Sequence, residues 1–354
     1  MGMSAHGRFA LSGSGDCPVM PLVLRNLENS RRAARLALPQ TADCFNTPAT
    51  PFFIMFVTKP RLFLNFILKN KFAVPSFNVS NLEMARAVIE AAELEDAPVM
   101  VQTDFINFDY AGMTELAGII RSLAERASAP VLMHQDHPGK DENIYHSLRH
   151  GYFSVMYDGG HHPLADNIRD TIRFAEAAHA CGAILESEIG QFGGEYQGGR
   201  AIRAAAEETA EMAAKSGADT LAVSVGSEHG QKTRLDLELL REIAKSTRIP
   251  LVLHGGSGIH PEDAKAATQL NVYKINIGAA LINGFVDALT EGAALPPAHD
   301  PKHQVILRHV IERLREIART RLSLFGASGH GKKLLQELVV AQSDLPHRIE
   351  ITKQ

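Results

Sequence analysis

The sequence predicts an α/β fold, a closed (β/α)8 TIM barrel. Apolar runs of strand length alternate with amphipathic stretches of helical length from about residue 60 onward, and eight such runs can be counted. The chain, 354 residues of which 45% are hydrophobic, is long enough to bury one large core without disulfides.

The first 54 residues stand apart. Ser12-Gly-Ser-Gly15 and Arg31-Arg-Ala-Ala-Arg35 show neither helical nor strand periodicity. Residues 1–54 read as a disordered tail, or as upstream sequence ahead of a start at Met55; a targeting peptide is the alternative. Residues 55–330 are expected to form the barrel with its C-terminal helix, and 331–354 a tail.

The predicted strands are Phe72–Val79, Ala97–Asp104, Pro130–His137, Ser154–Asp158, Ala183–Gly190, Thr220–Gly226, Pro250–Gly256 and Val272–Ile277. Pro98, Pro130 and Pro250 introduce three of them, as suits the end of a helix-to-strand loop. Between the first two, Leu82, Ala85, Val88, Ile89 and Ala92 recur at three- and four-residue spacing, predicting a helix over Asn81–Glu95. Eight parallel strands close best as a barrel; an open doubly wound sheet is the alternative. Pro301–Phe325 reads as a charged amphipathic helix covering the barrel or a subunit contact.

Composition excludes several function classes. A net charge of −4 and a pI near 6.5 give no footing for nucleic acid or a membrane surface. No apolar stretch is long enough to span a bilayer. Three cysteines without CxxC spacing fit a reducing, cytoplasmic setting.

In such barrels the chemistry sits at the C-terminal ends of the strands. Strand three ends Met133-His-Gln-Asp-His137, four ends Tyr157-Asp158, and five ends Glu186-Ser-Glu-Ile-Gly190. Strand six runs into Gly226-Ser-Glu-His229-Gly230, and seven ends Leu253-His254-Gly-Gly-Ser-Gly258. A lone histidine among sixteen is more often a surface or hydrogen-bonded residue than a ligand. Five successive strand ends carrying ligand types are harder to dismiss. Three neutral imidazoles with an open fourth position suit catalytic zinc, so His137, His229 and His254 are read as its ligands. Asp158 and Glu188 could hold a second metal position or orient the histidines by hydrogen bonding. Asp136, whose side chain diverges from that of His137, is placed for proton transfer with a substrate hydroxyl. Gly255-Gly-Ser-Gly258 after strand seven, and Asn276-Ile-Gly-Ala279 opening a helix after strand eight, occupy the usual phosphate cradle of this fold.

Taken in order, these segments resemble the class II fructose-bisphosphate and tagatose-bisphosphate aldolase family over about residues 59–330. The resemblance is carried by Lys71–Asn78 with Asn81-Leu-Glu83, His134-Gln-Asp-His137, Ser154–Asp158 with His161-His162-Pro163, and Gly226–Gly230. It continues through Leu253–Gly258 and Lys274-Ile-Asn276 to Leu324-Phe-Gly-Ala-Ser-Gly329. It implies a zinc aldolase that cleaves a ketose phosphate reversibly to dihydroxyacetone phosphate and an aldehyde. His137, His229 and His254 would hold Zn2+, and Asp136 would be the acid/base group. Asp158 and Glu188 would form a secondary position for a second metal or a monovalent cation. Substrate contacts would come from Asn78, Gly230, Gly255, Gly256, Ser257, Asn276, Ile277, Gly278 and Ala279. The partner would be a small sugar phosphate, and the assembly a homodimer or homotetramer. No Schiff-base lysine is required, so Lys274 is not a nucleophile.

Three departures from the family pattern bear on substrate. Ala279 stands where the family carries Thr, preceded by Gly278. Asp104 stands near the place of a small hydroxyl residue on the aldehyde side. The active-site loop reads Gly193-Gly-Glu195-Tyr196-Gln197, with Tyr in place of a proton-exchanging Glu and Glu195 beside it as the candidate substitute. Fructose 1,6-bisphosphate is accordingly expected to be a poor substrate. A weakened relative that binds sugar phosphate as a sensor is a second reading. A barrel metal hydrolase is a third, against which the first strand ends Ser76-Phe-Asn-Val-Ser80 without a His-x-His pair.

Overall fold

The structure, a computed structural model, describes residues 55–192, 201–227, 232–295 and 302–343. The N-terminal segment 1–54 and the last residues of the expected tail lie outside the described residues, as do His229, Gly230 and the loop with Glu195 and Tyr196.

Within the described residues the chain runs α1 (Pro60–Asn70), β1 (Val74–Asn78), α2 (Leu82–Leu94), β2 (Val99–Thr103), α3 (Phe105–Ala111), α4 (Met113–Ala124), β3 (Val131–Gln135) and α5 (Asp141–Arg149). It continues β4 (Ser154–Tyr157), α6 (Leu164–Ala180), β5 (Ile184–Ile189), α7 (Ala206–Lys215), β6 (Thr220–Val223), α8 (Leu237–Ser246), β7 (Leu251–Leu253) and α9 (Pro261–Ala267). Then follow β8 (Val272–Ile277), α10 (Ala279–Gly292), α11 (His303–Leu324) and α12 (Gly331–Ser343). The strands close into a barrel in sequence order, each parallel to the next, with β8 paired to β1. The expected closed barrel is therefore the observed architecture, and the open sheet is not.

Every residue of the eight strands is buried, because helices cover the outside and side chains fill the inside. The outward layer is apolar, as with Val99, Val101 and Val131. The helices obey the same logic. Asn81 caps α2 by accepting from Met84 N at 2.9 Å, and Ala85, Val88, Ile89 and Ala92 face the sheet. Leu82, expected on that buried face, is 46% exposed because it lies in the first turn, outside the contact.

The long charged helix is α11. Its stripe of Val310, Leu314, Ala318 and Leu322 is buried at four-residue spacing against α2 and α10. Residues past 330, read from the sequence as a tail, are helical over Gly331–Ser343, with Leu334 and Leu338 buried and α12 resting on α1. The segment Leu324–Gly329 ties the base of the barrel. Ala73 N donates to Phe325 O at 3.1 Å, Gly329 N to Glu95 O at 2.9 Å, and Ser328 Oγ to Glu95 Oε2 at 2.8 Å. That motif is structural and lies at the opposite end from the strand termini described next. No helix of the described residues is long and apolar enough to cross a membrane.

Candidate active site and metal centre

Because residues two apart on a strand share a face, the inward-facing polar residues of β1, β2, β5 and β8 stack in layers toward the barrel mouth. The upper layer converges on Asp136, just past β3. Asn78 Nδ2 and Gln102 Nε2 donate to its Oδ2 at 3.2 and 2.9 Å, and Asn276 Nδ2 donates to Oδ1 at 3.0 Å. Three amides from three strands thus fix one carboxylate that is 3% exposed. Its backbone is pinned too, Asp136 N donating to Thr103 O at 2.9 Å. Burial alone would raise its pKa. The charges of His137, His254 and Lys274, with the Asn78 hydrogen bond, outweigh that and hold it below the usual carboxylate range.

Asp136, His137 and His254 bring ligand-type atoms within 4.8 Å of one another, all three buried. The two rings stand 4.9 Å apart at 84°, and Phe192 stacks on His254 at 4.5 Å. His137 Nδ1 lies 2.7 Å from Asp158 Oδ2, which leaves Nε2 as its nitrogen for a metal. His254 Nε2 lies 3.3 Å from Glu186 Oε1, which leaves Nδ1. Burial would lower the pKa of His137, but Asp136 and then Asp158 override it and raise it to about 10. A divalent cation would displace the proton of a buried imidazolium held by carboxylates and take its place among them, so the donor set fits a metal.

Glu188, one step from Glu186 on the same face of β5, groups with His137 and Asp158 within the same 4.8 Å span. The chain passes close over it: a Cβ on Gly160 would come within 2.5 Å of Glu188 Oε1 and 2.2 Å of Gly190 O. Only glycine fits there.

Beside the carboxylate opens a cavity of about 610 Å³, lined by Asn78, Asp104, Asp136, Gly255, Ser257, Asn276, Gly278 and Ala279. Its exposed lining is Ile106, Tyr110 and Ile282, with Met84 buried among the lining residues. Gly256 lies one layer back, where a Cβ would meet Ile275 Cγ2 at 2.4 Å and Asn276 O at 2.6 Å. This glycine lets the loop after β7 lie on β8. Ile277 is fully buried in the core, so only its backbone can serve the site. Ser257 Oγ accepts from Ala280 N at 3.0 Å in the first turn of α10, and Arg321 Nη2 donates to Ser257 O at 3.1 Å.

Asp104 lies on the cavity wall and has a second duty. Its Oδ1 accepts from Asn107 N at 2.9 Å and caps α3, while Oδ2 accepts from Asn78 Nδ2 at 3.2 Å. Among the described residues lining the cavity there is no lysine or arginine.

The structure therefore brings together Asp136, His137, His254, Asp158, Glu188, Asn78, Gly255, Ser257, Asn276, Gly278 and Ala279 at one end of the barrel. His229 and Gly230 lie outside the described residues. Sequence reasoning missed Gln102, Glu186, Lys274 and the role of His134. The available signal was a polar or charged residue inside an otherwise apolar, fully buried strand.

A model of the fructose-bisphosphate aldolase class-II family matches residues 60–330. The YdjI aldolase from Escherichia coli K12 is 30% identical over 77% of this chain and 98% of its own, with a TM-score of 0.69. A protein from Coccidioides immitis assigned as a fructose-1,6-biphosphate aldolase is 26% identical over 78% of this chain and 99% of its own, with a TM-score of 0.72. A fructose-bisphosphate aldolase from Campylobacter jejuni, 21% identical, shares the fold over 77% of this chain and 95% of its own, with a TM-score of 0.66.

Proposed function

Because the chain belongs to the class II fructose-bisphosphate aldolase family, we propose that it is a zinc-dependent aldolase cleaving a ketose 1-phosphate to dihydroxyacetone phosphate and an aldehyde without a second phosphate. The observation that carries this reading is the carboxylate of Asp136, held by three amides within 4.8 Å of the ligand-type atoms of His137 and His254. These histidines, with His229 as the proposed third, would hold the zinc. Zinc supplies a Lewis acid to the ketose carbonyl, which takes up negative charge as the C3–C4 bond breaks.

The remaining work falls to the chain's own residues. Asp136, anionic at neutral pH, takes the proton of the C4 hydroxyl as that carbon becomes the aldehyde, and returns it in the aldol direction. Asn78, Gln102 and Asn276 keep the carboxylate aimed and prevent it from swinging away. Ser257, Gly278 and Ala279 at the start of α10 receive the phosphate through backbone N–H groups, which do not need the hydroxyl absent at Ala279. His137 is oriented by Asp158.

The His137 proton gives a pH dependence. Metal uptake must displace it, so zinc affinity measured by chelator competition should rise about tenfold per unit between pH 6 and 9. The stability effect runs the other way. With its folded pKa raised from 6.5 to about 10, His137 contributes fully below 6.5 and loses that contribution as pH rises through 10. The Tm of metal-free protein should fall between pH 7 and 10, and that of zinc-loaded protein should not. A pH-independent zinc affinity would show that His137 carries no proton to displace.

Specificity follows from Asp104 and from the absence of lysine and arginine among the described residues lining the cavity. A second phosphate at the aldehyde end would meet like charge, so fructose 1,6-bisphosphate should be a poor substrate. Asp104→Ser keeps a capping side chain for α3 while removing the charge. It should raise kcat/KM for the bisphosphate relative to a 1-phosphate by on the order of tenfold. Efficient bisphosphate cleavage by the unaltered protein would refute this specificity and leave the aldolase reading standing.

A further inference from the structure

Resting on the metal-centre reading above, we infer that Lys274 and Glu186 are positioning residues, a buried ion pair beneath the metal centre that holds His254 with Nε2 donating downward and Nδ1 presented to the metal. Neither residue lines the substrate cavity, and both are fully buried on inward faces of β8 and β5. An ammonium in that position is costly unless it is paired. Lys274 Nζ lies 2.9 Å from Glu186 Oε2 and 3.0 Å from His134 Nε2. The other Glu186 oxygen, Oε1, lies 3.3 Å from His254 Nε2.

The proton count along this chain is determined. An ammonium only donates, so His134 Nε2 accepts, and the His134 proton sits on Nδ1, 2.8 Å from Ser154 Oγ. Both His134 nitrogens are thereby engaged, which separates this residue from His137 although both belong to one four-residue motif. His134, Asp136 and Glu186 bring ligand-type atoms within 4.8 Å of one another, a grouping that resembles a second metal site. Lys274 Nζ sits within 3.0 Å of two of these residues, so the fold supplies its own cation there. That cation sits on Glu186 Oε2 and leaves Oε1 turned toward His254. A carboxylate accepting from Nε2–H fixes the tautomer of His254 and raises the basicity of Nδ1.

If the pair merely filled space, apolar residues of similar volume would serve as well. Two double variants separate the cases: Glu186→Gln with Lys274→Met, and Glu186→Leu with Lys274→Met. Both remove both charges, and only the first keeps an acceptor for His254 Nε2–H. Zinc dissociation constants by chelator competition should be about 10- to 100-fold weaker in the leucine pair than in the glutamine pair. The metal-free Tm of the leucine pair should be equal or higher. In the unaltered metal-free protein, 15N NMR of histidine should find the His254 proton on Nε2. Equal zinc affinity in the two pairs, or a proton on Nδ1, would overturn the positioning role. Unaltered protein that takes up no zinc would instead overturn the metal-centre reading on which it rests.

Discussion

Asp136→Asn is expected to retain metal and lose about two to four orders of magnitude in turnover, the usual scale for a general acid or base. The side chain keeps its shape, but an amide cannot take a proton from a hydroxyl. The change also disturbs the reception Asp136 is given. Asn78, Gln102 and Asn276 all point N–H donors at it, and an asparagine can accept on one side only, so at least one amide must turn away. Hydrogen bonds to a charged group are worth about 1.5–3 kcal/mol each, so some of the loss would show as reduced Tm. Turnover and zinc content should therefore be measured on the same preparation, with a melting curve beside them. Unchanged turnover on the true substrate would show that another group moves the proton.

Replacing His137 or His254 by Ala should weaken zinc binding by more than about a hundredfold, beyond what loss of a partner to a ligand costs. Activity should fall with the metal. The two variants should differ in stability. His254→Ala strands Glu186 Oε1 and removes the ring on which Phe192 stacks, where all three side chains are buried. His137→Ala removes the positive charge that offsets Asp136, Asp158 and Glu188 in the metal-free state. Zinc titration of each variant by chelator competition checks the first point, and metal-free melting checks the second. Zinc binding as tight as in the unaltered protein would remove both residues from the ligand set.

The barrel was legible because each strand is a short apolar run bounded by polar loops, and all eight runs lie where strands occur. The ends were overrun. Pro130–His137 was predicted where Val131–Gln135 pairs, because strand and loop at the mouth are equally buried and burial is what apolar patterning reports. The rim residues were legible for a different reason. Carboxylates and imidazoles at consecutive strand ends have no packing role that would place them there. The layer beneath was not legible. Gln102, Glu186 and Lys274 look like interruptions of apolar strands, and only closure of the barrel shows that they meet across its axis. Glu186 and Glu188 are two apart on one face, yet Glu188 belongs to the group with His137 and Asp158 while Glu186 answers His254 from below. Asp104 was read for its charge alone. Its capping of α3 depends on a short helix that the sequence pattern did not single out.

The most direct test of a metal-dependent carbon–carbon lyase is dihydroxyacetone phosphate release from ketose 1-phosphates, followed through removal and return of metal. The expected result is about one zinc per chain, release abolished by a chelator, and release restored by zinc with the same stoichiometry. Release that persists without metal, or trapping of a substrate adduct on Lys274 by borohydride, would contradict it.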